Sequence, residues 1–368
     1  MSKSKNLKEV GKLFFKLGSV AFGGPAAHVA MMEDEVVKKR KWMTSEHFLD
    51  LMGATNLIPG PNSTEMTMHC GHERAGWKGL FVAGGAFVFP AVVITLILAW
   101  LYTEYGQLPS VEPFIYGIKP AVIAIIISAV YRLGKKALKS VQLGILGALT
   151  LAAALYGIHE IVALFACGIL GALIFLAKNT RKTSNSFFPL ALATSIGSTK
   201  VLLTFLKVGA LLYGGGYVLF AFLDAELVST GLLTRQELID AIAVGQFTPG
   251  PVLSTATFIG YQLNGFWGAI AATVGIFLPS FIFVAILNPI VPKLRKSPLI
   301  GAFLDAVNIA AVAVIVAVCI EMGLETITDW KTISISIISL IAVFGIKKLN
   351  SAFIVLGGSL LGYLLYLI

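Results

Sequence analysis

The sequence predicts an all-α polytopic membrane protein made of two homologous inverted-topology repeats, with broken or re-entrant helices at the start of each half. Three observations carry this. The 368 residues are 57% hydrophobic and 13% charged, with a mean hydropathy of +0.86, whereas soluble domains run at about 45–50% apolar and about 25% charged. Motifs of the first half return in the same order in the second. The basic loops change sides between the halves.

The apolar residues fall in blocks of about 16–25, the length that crosses a hydrocarbon core of about 30 Å. Soluble cores could not hide that much apolar surface, so a soluble enzyme, a DNA-binding protein and a secreted disulfide scaffold are excluded. The net charge of +9 is spread in short Lys/Arg runs between apolar blocks, as in cytoplasmic loops. The expected surroundings are therefore a lipid bilayer and not nucleic acid. Cys70, Cys167 and Cys319 are far apart with no CxxC, so neither a disulfide framework nor a metal site is expected. The basic start MSKSKNLKEVGKLFFK is not followed by a compact apolar stretch with a small-residue cleavage site, so it does not read as a removed signal.

The duplication is explicit. FFKLGSVAFGGP at 14–25 returns as FLKVGALLYGGG at 205–216, and MTSEHFLDLMGATNLIPGP at 43–61 as LTRQELIDAIAVGQFTPGP at 233–251. AGWKGLFVAGGAFVFP at 75–90 returns as NGFWGAIAATVGIFLP at 264–279. The offset drifts from 191 to 189, as small loop deletions produce. The domains are therefore an N-terminal repeat at 1–180, a linker at 181–199 and a C-terminal repeat at 200–368.

Breakers and charges place the helix ends, because segments this apolar have no polar face to read. Spans are expected near 77–102, 114–133, 141–157 and 161–177, with counterparts near 266–288, 300–320, 332–346 and 351–368. The loop 103–113 has no Lys or Arg, but its counterpart holds Lys293, Arg295 and Lys296. Conversely, 131–140 holds Arg132, Lys135, Lys136 and Lys139, while its counterpart EMGLETITD holds none. Under the positive-inside rule the repeats cross in opposite senses. The basic N-terminus and the basic 178–182 both suit the cytoplasm, so either the 187–199 stretch crosses or one of the first segments does.

The region before the long spans is different in each half, with shorter apolar runs and two breaks. One break is Gly23-Gly24-Pro25, opposite Gly214-Gly215-Gly216. The other is Pro59-Gly60-Pro61, opposite Pro249-Gly250-Pro251. Non-helical backbone at membrane depth is tolerated where it is buried in protein or lines an aqueous cavity. In inverted-repeat carriers, half-helix N-termini there point N–H groups and positive dipole ends at an anionic substrate. Pro suits the first helical turn, so free N–H groups are expected at Asn62-Ser63-Thr64 and Val252-Leu253-Ser254. The competing reading is of ordinary turns outside the membrane.

Polar residues beside the turns could line the same cavity: Thr55, Asn56, Ser63, Thr64, Gln246, Thr248, Ser254, Thr255 and Thr257. For any one of them helix-packing glue is the alternative. Glu65 faces Thr255 in the alignment, breaks the symmetry and is the candidate proton carrier. Lys16 and Lys207 both sit inside apolar helices, where a charge costs a few kcal/mol unless it snorkels or serves a site. A dianion needs more positive charge than half-helix ends supply, at about half a charge each. Lys207 is the expected ligand, since Lys16 can snorkel toward the basic N-terminus. His69 and His72 have HxxH spacing, but no further ligand completes a metal site. The nearest approach to a P-loop, GHERAGWK at 71–78, has Trp77 where Lys must stand. No cofactor is expected, and transport must be driven by an ion gradient or the substrate's own gradient.

FGGP, LIPGP and FVFP, with a second copy carrying YGGG and FTPGP, resemble the chromate ion transporter family in its two-domain, long-chain form. The resemblance covers essentially the whole chain. It implies an inner-membrane carrier, not an enzyme, that exports chromate, a tetrahedral dianion like sulfate, in response to proton-motive force. The family motif falls on Gly23, Gly24, Pro25, Pro59, Gly60 and Pro61, and on Gly214, Gly215, Pro249, Gly250 and Pro251. Gly216 replaces the Pro25 of the first copy, so the two cradles need not be equivalent. An importer or exchanger for sulfate or another small anion is the alternative within transport, and a membrane scaffold or enzyme the remote one. Both repeats lie in one chain, so a monomer could be complete, and a homodimer is equally compatible.

Overall fold

The computed structural model describes residues 3–21, 25–55, 58–106, 108, 111–178, 198–213, 216, 218–287, 298–346 and 349–366. Among these it is helical, with no strand. The first half runs α1 (Lys3–Val20), α2 (Pro25–Glu33, continued by a π-turn over Asp34–Lys39), α3 (Ser45–Thr55), α4 (Asn62–Tyr105), α5 (Glu112–Ala137), α6 (Val141–Leu155) and α7 (Glu160–Lys178). The second half repeats it: α8 (Ser198–Leu211), α9 (Val218–Leu223, with a π-turn over Asp224–Val228), α10 (Arg235–Phe247), α11 (Thr255–Leu287), α12 (Pro298–Thr326), α13 (Trp330–Gly345) and α14 (Ser351–Tyr366). The expected spans coincide with the long arms of α4 and α11 and with α5–α7 and α12–α14.

Local chemistry sets the ends. Pro113 and the acidic Glu112 open α5, and Lys135 and Lys136 close it, which suits both the missing proline N–H and the helix dipole. Capping boxes open α10 (Thr234 with Glu237) and α13 (Asp329 with Thr332).

α4 and α11 are hairpins, not continuous rods. Non-helical backbone interrupts α4 at Ala75 and Gly76 (φ 63°, ψ −155°), and α11 at Asn264 and Gly265 (φ 56°, ψ −150°). A positive φ of that kind is open to glycine at little cost. The arms then fold back on each other. A Cβ added to Gly71 would land on the Gly79 carbonyl, and one added to Gly260 on the Gly268 carbonyl. Each short arm, 62–74 or 255–263, is thus a re-entrant half-helix lying against a spanning arm. Gly71→Val should push the first hairpin open and leave little monodisperse protein, whereas Gly85→Ala, whose Cβ would meet nothing within 4 Å, should remain folded. Size-exclusion profiles in detergent check both.

The halves are related by a two-fold axis that lies across the long helices. Lys139 Nζ, just beyond α5, lies 2.7 Å from Asp305 near the start of α12. At the other end the Tyr116 hydroxyl of α5 bonds the Asp329 carboxylate beyond α12. The offset of about 190 makes these the same contact twice, so the equivalent helices α5 and α12 run antiparallel. Inversion follows from the chain itself.

The two ends differ in charge. Lys38, Lys39, Arg40 and the α5 terminus share one end; Asp224, Glu226, Glu321 and Glu325 share the other, gathered around Arg235 and Lys207. α7 starts at the acidic end, where His159 approaches Glu226 at 3.5 Å, and α8 starts there too, with Lys200 beside Leu227 and Leu232. Lys178 and Ser198 therefore lie at opposite ends; the 187–199 reading falls largely outside the described residues. In a chain stripped of native cysteines, Glu112→Cys should label with an impermeant thiol reagent from outside and Lys136→Cys should not. Equal labelling would contradict the inverted arrangement.

Candidate functional site

Each PGP turn is tied to the opposite half. The Gly60 N–H donates to the Leu212 carbonyl at the end of α8 (2.7 Å), and the Gly250 N–H donates to the Ala21 carbonyl beyond α1 (2.8 Å). These are symmetry-equivalent bonds. They bring the PGP turns against the chain that leads into Pro25 and Gly216. Gly23, Gly24, Gly214, Gly215 and Asn56 lie outside the described residues.

Pro59, Gly60 and Pro61 precede the short arm of α4, which opens at Asn62. Pro249, Gly250 and Pro251 precede a 3-10 turn, Val252–Ser254, that leads into α11. Here the expectation of free N–H groups is corrected. Thr64 N–H closes on Pro61 O at 2.8 Å and Ser254 N–H on Pro251 O at 2.9 Å, because a donor three residues into a turn already reaches the first carbonyl.

Several hydroxyls of the expected lining are engaged within their own helices. Thr55 bonds Met52 O at 2.8 Å, Thr248 bonds Gly245 O at 3.2 Å and Thr255 bonds Val252 O at 2.8 Å. Thr257 joins Thr273 across the second hairpin at 2.8 Å. The remaining groups have unused hydrogen-bonding capacity: Thr64 Oγ1, both Glu65 oxygens, Gln246 Nε2, Ser254 Oγ and Ser280 Oγ. All five residues are buried. Native interiors pair nearly all such groups, so these residues, beside the two broken helices, are the candidate lining of the site.

Glu65 is fully buried. Its Oε1 and the Ser280 hydroxyl both crowd the face of Gly60 where a Cβ would be, so Ser280 is the polar side chain beside the carboxyl. Ser280 and His28 were not singled out in the sequence. His28 Nε2 lies 3.0 Å from the Ala21 carbonyl, the same carbonyl that receives Gly250, and so holds the proton on that nitrogen. A lone buried His in an apolar stretch and a Ser after an in-helix Pro were the available signals.

The lysines require a second correction. Lys16 and Lys207 are exposed, because Phe14, Leu17 and Gly18 of α1, and Phe205, Val208 and Gly209 of α8, take the packed faces. The Lys207 ammonium pairs with Glu226 at 2.6 Å, at the acidic end. Lys207→Gln should therefore change the half-saturating substrate concentration by less than about fivefold, the scale of an exposed pair. A larger rise would return Lys207 to the substrate path.

A family model described as chromate transporter matches residues 8–172 and again 199–363. A probable chromate transport protein of Synechococcus elongatus is 32% identical, covering 98% of this chain and 96% of the relative. Chromate transport proteins of Cupriavidus metallidurans and Pseudomonas aeruginosa are each 30% identical, covering 98% and 96% of this chain and 93% and 91% of theirs. No solved structure matches the chain. With one motif-bearing match on each inverted half, the chain belongs to the chromate transporter family, a family of multi-pass membrane carriers and not of enzymes.

Proposed function

We propose that the protein exports chromate from the cytoplasm through the paired PGP cradle, with the membrane potential as the driving force. The observation that carries this is the set of buried polar side chains with unused hydrogen-bonding capacity, Thr64, Glu65, Gln246, Ser254 and Ser280, beside two half-helix starts from opposite repeats. Each half, 1–180 and 200–368, contributes one turn, so the substrate is held between them. Hydroxyl and amide donors suit a tetrahedral oxyanion that must be bound and then released. The names of the three relatives supply the anion.

Magnitudes favour the direction. Moving one charge across 100 mV is worth about 2.3 kcal/mol, so a dianion leaving a negative interior gains about 4.6 kcal/mol per 100 mV. That sustains a gradient of roughly a thousandfold without a coupled proton.

One observation favours a second reading. Glu65 is a carboxyl inside an anion site, and a dianion enters more easily once that carboxyl holds a proton. Proton and anion moving together describes uptake of sulfate or a similar anion. Labelled chromate and sulfate flux in proteoliposomes separates the readings. Chromate flux driven by a potential alone, at equal pH on both sides, is the expected result. Flux of sulfate that requires a pH gradient would replace export by proton-linked uptake.

A further inference from the structure

We propose that Lys119 is a further ligand for the transported oxyanion, on the acidic-end side of the PGP turns, and that Asp240 is the internal competitor that holds it between transport events. This rests on the oxyanion reading above.

Lys119 lies inside α5, a 26-residue helix long and apolar enough to span a membrane. A lysine there must find a partner, and the partner comes from the other half. Asp240 Oδ2 of α10 lies 3.6 Å from the ammonium, and the Tyr102 hydroxyl of α4 donates to the same oxygen at 2.6 Å. Asp240 is 5% exposed, and its Oδ1 meets no hydrogen-bond donor among the described residues. At 3.6 Å the lysine is held by charge and not by a short hydrogen bond. It is a loose pair in a place where loose pairs are costly.

Its position connects it to the cradle. From Asp240, α10 runs to Gln246 and then to Pro249-Gly250-Pro251, nine residues or about 13 Å along the axis. The Tyr102 ring packs on Phe258 of the short arm that follows, with ring centres 5.2 Å apart. The three residues therefore flank the helix that carries the second turn. The charge itself is not repeated: the offset of 189 that relates 75–90 to 264–279 puts the neutral Asn308 at the place of Lys119 in the other half.

The chemistry is an exchange of partners. An oxyanion with two charges outcompetes one carboxylate for the ammonium, so Lys119 moves from Asp240 to the passing anion. When the anion leaves, Asp240 takes the lysine back, and no buried cation is stranded. No proton or electron is transferred.

A double-mutant cycle tests this, with saturation of labelled sulfate or chromate flux in proteoliposomes as the readout. Lys119→Met should raise the half-saturating concentration by about tenfold or more, the size of a lost charged contact. Asp240→Asn should lower it and slow maximal flux, since the freed lysine holds the anion longer. The double variant should resemble Lys119→Met. Recovery of wild-type saturation in the double variant would overturn the proposal, because a purely structural pair is repaired when both charges go. If Lys119→Met does not elute as folded protein, Lys119→Arg and Asp240→Asn decide. Wild-type-like saturation in the arginine variant with tighter saturation in the asparagine variant supports the exchange; weaker saturation in Asp240→Asn refutes it. Absence of saturable flux of either anion in the wild type would instead remove the oxyanion reading itself.

Discussion

Gly60→Ala should reduce transport to about a hundredth or less while the protein still inserts and elutes normally. Gly60 has φ +139°, and its Cβ would land on Glu65 Oε1 and Ser280 Oγ. The backbone strain is of order 1–3 kcal/mol, and the methyl group displaces the two polar groups at the centre of the cradle. The same turn also donates its N–H to Leu212 O, so the displacement is passed to the other half. Gly250→Ala should cost less, about tenfold. At φ +88° it is strained too, but its Cβ would meet Ala91 Cβ at 2.9 Å and Gly18 O at 3.2 Å, with no polar group of the cluster in the way. Leucine at either position should abolish flux. The order of the two alanine variants is the test, measured as flux per folded protein in proteoliposomes; normal flux in Gly60→Ala would make PGP an ordinary turn.

Glu65→Gln should lower flux at least about tenfold and raise the thermal midpoint by a few degrees. These opposite signs follow from one fact. A fully buried carboxyl with no cation beside it and only the Ser280 hydroxyl near is costly to keep in the folded state, and an amide of the same shape removes most of that cost. A group retained at such expense serves the substrate or its proton. Glu65→Thr, which copies the Thr255 of the second half, should behave similarly. Thermal unfolding in detergent beside flux in vesicles measures both quantities. Unchanged flux with raised stability would leave Glu65 a structural residue.

The elements best anticipated are those whose chemistry is local. Helix ends at Glu112–Ala137 and Glu160–Lys178 follow from Pro, acidic starts and basic ends. The hairpin turns at Gly76 and Gly265 were hidden, because a glycine in a long apolar run looks the same in a straight helix as at a reversal. Lys119 carries no sequence signal for a related reason. One lysine before a proline in FIYGIKPAVIAI has no counterpart in the second half, and only the approach of α10 supplies its partner. Lys16 and Lys207 stood out through duplication, but duplication records shared ancestry of a helix and not the direction in which a side chain points.

The sequence alone determined the membrane setting, the two repeats, their opposite senses and the positions of the four breaks. These depend on composition, order and loop charge, which are properties of the chain read one segment at a time. Tertiary structure alone decided that each PGP turn docks on the opposite half. It also decided that Glu65, Gln246, Ser254 and Ser280 are buried with unused hydrogen-bonding capacity, and that Lys207 is satisfied by Glu226 and Lys119 by Asp240. Such facts arise where residues of different helices, from 19 positions apart (Lys207 and Glu226) to 229 apart (Ala21 and Gly250), come within a few ångströms. Burial and pairing are set by what lies across the interface, and no local pattern encodes the other side.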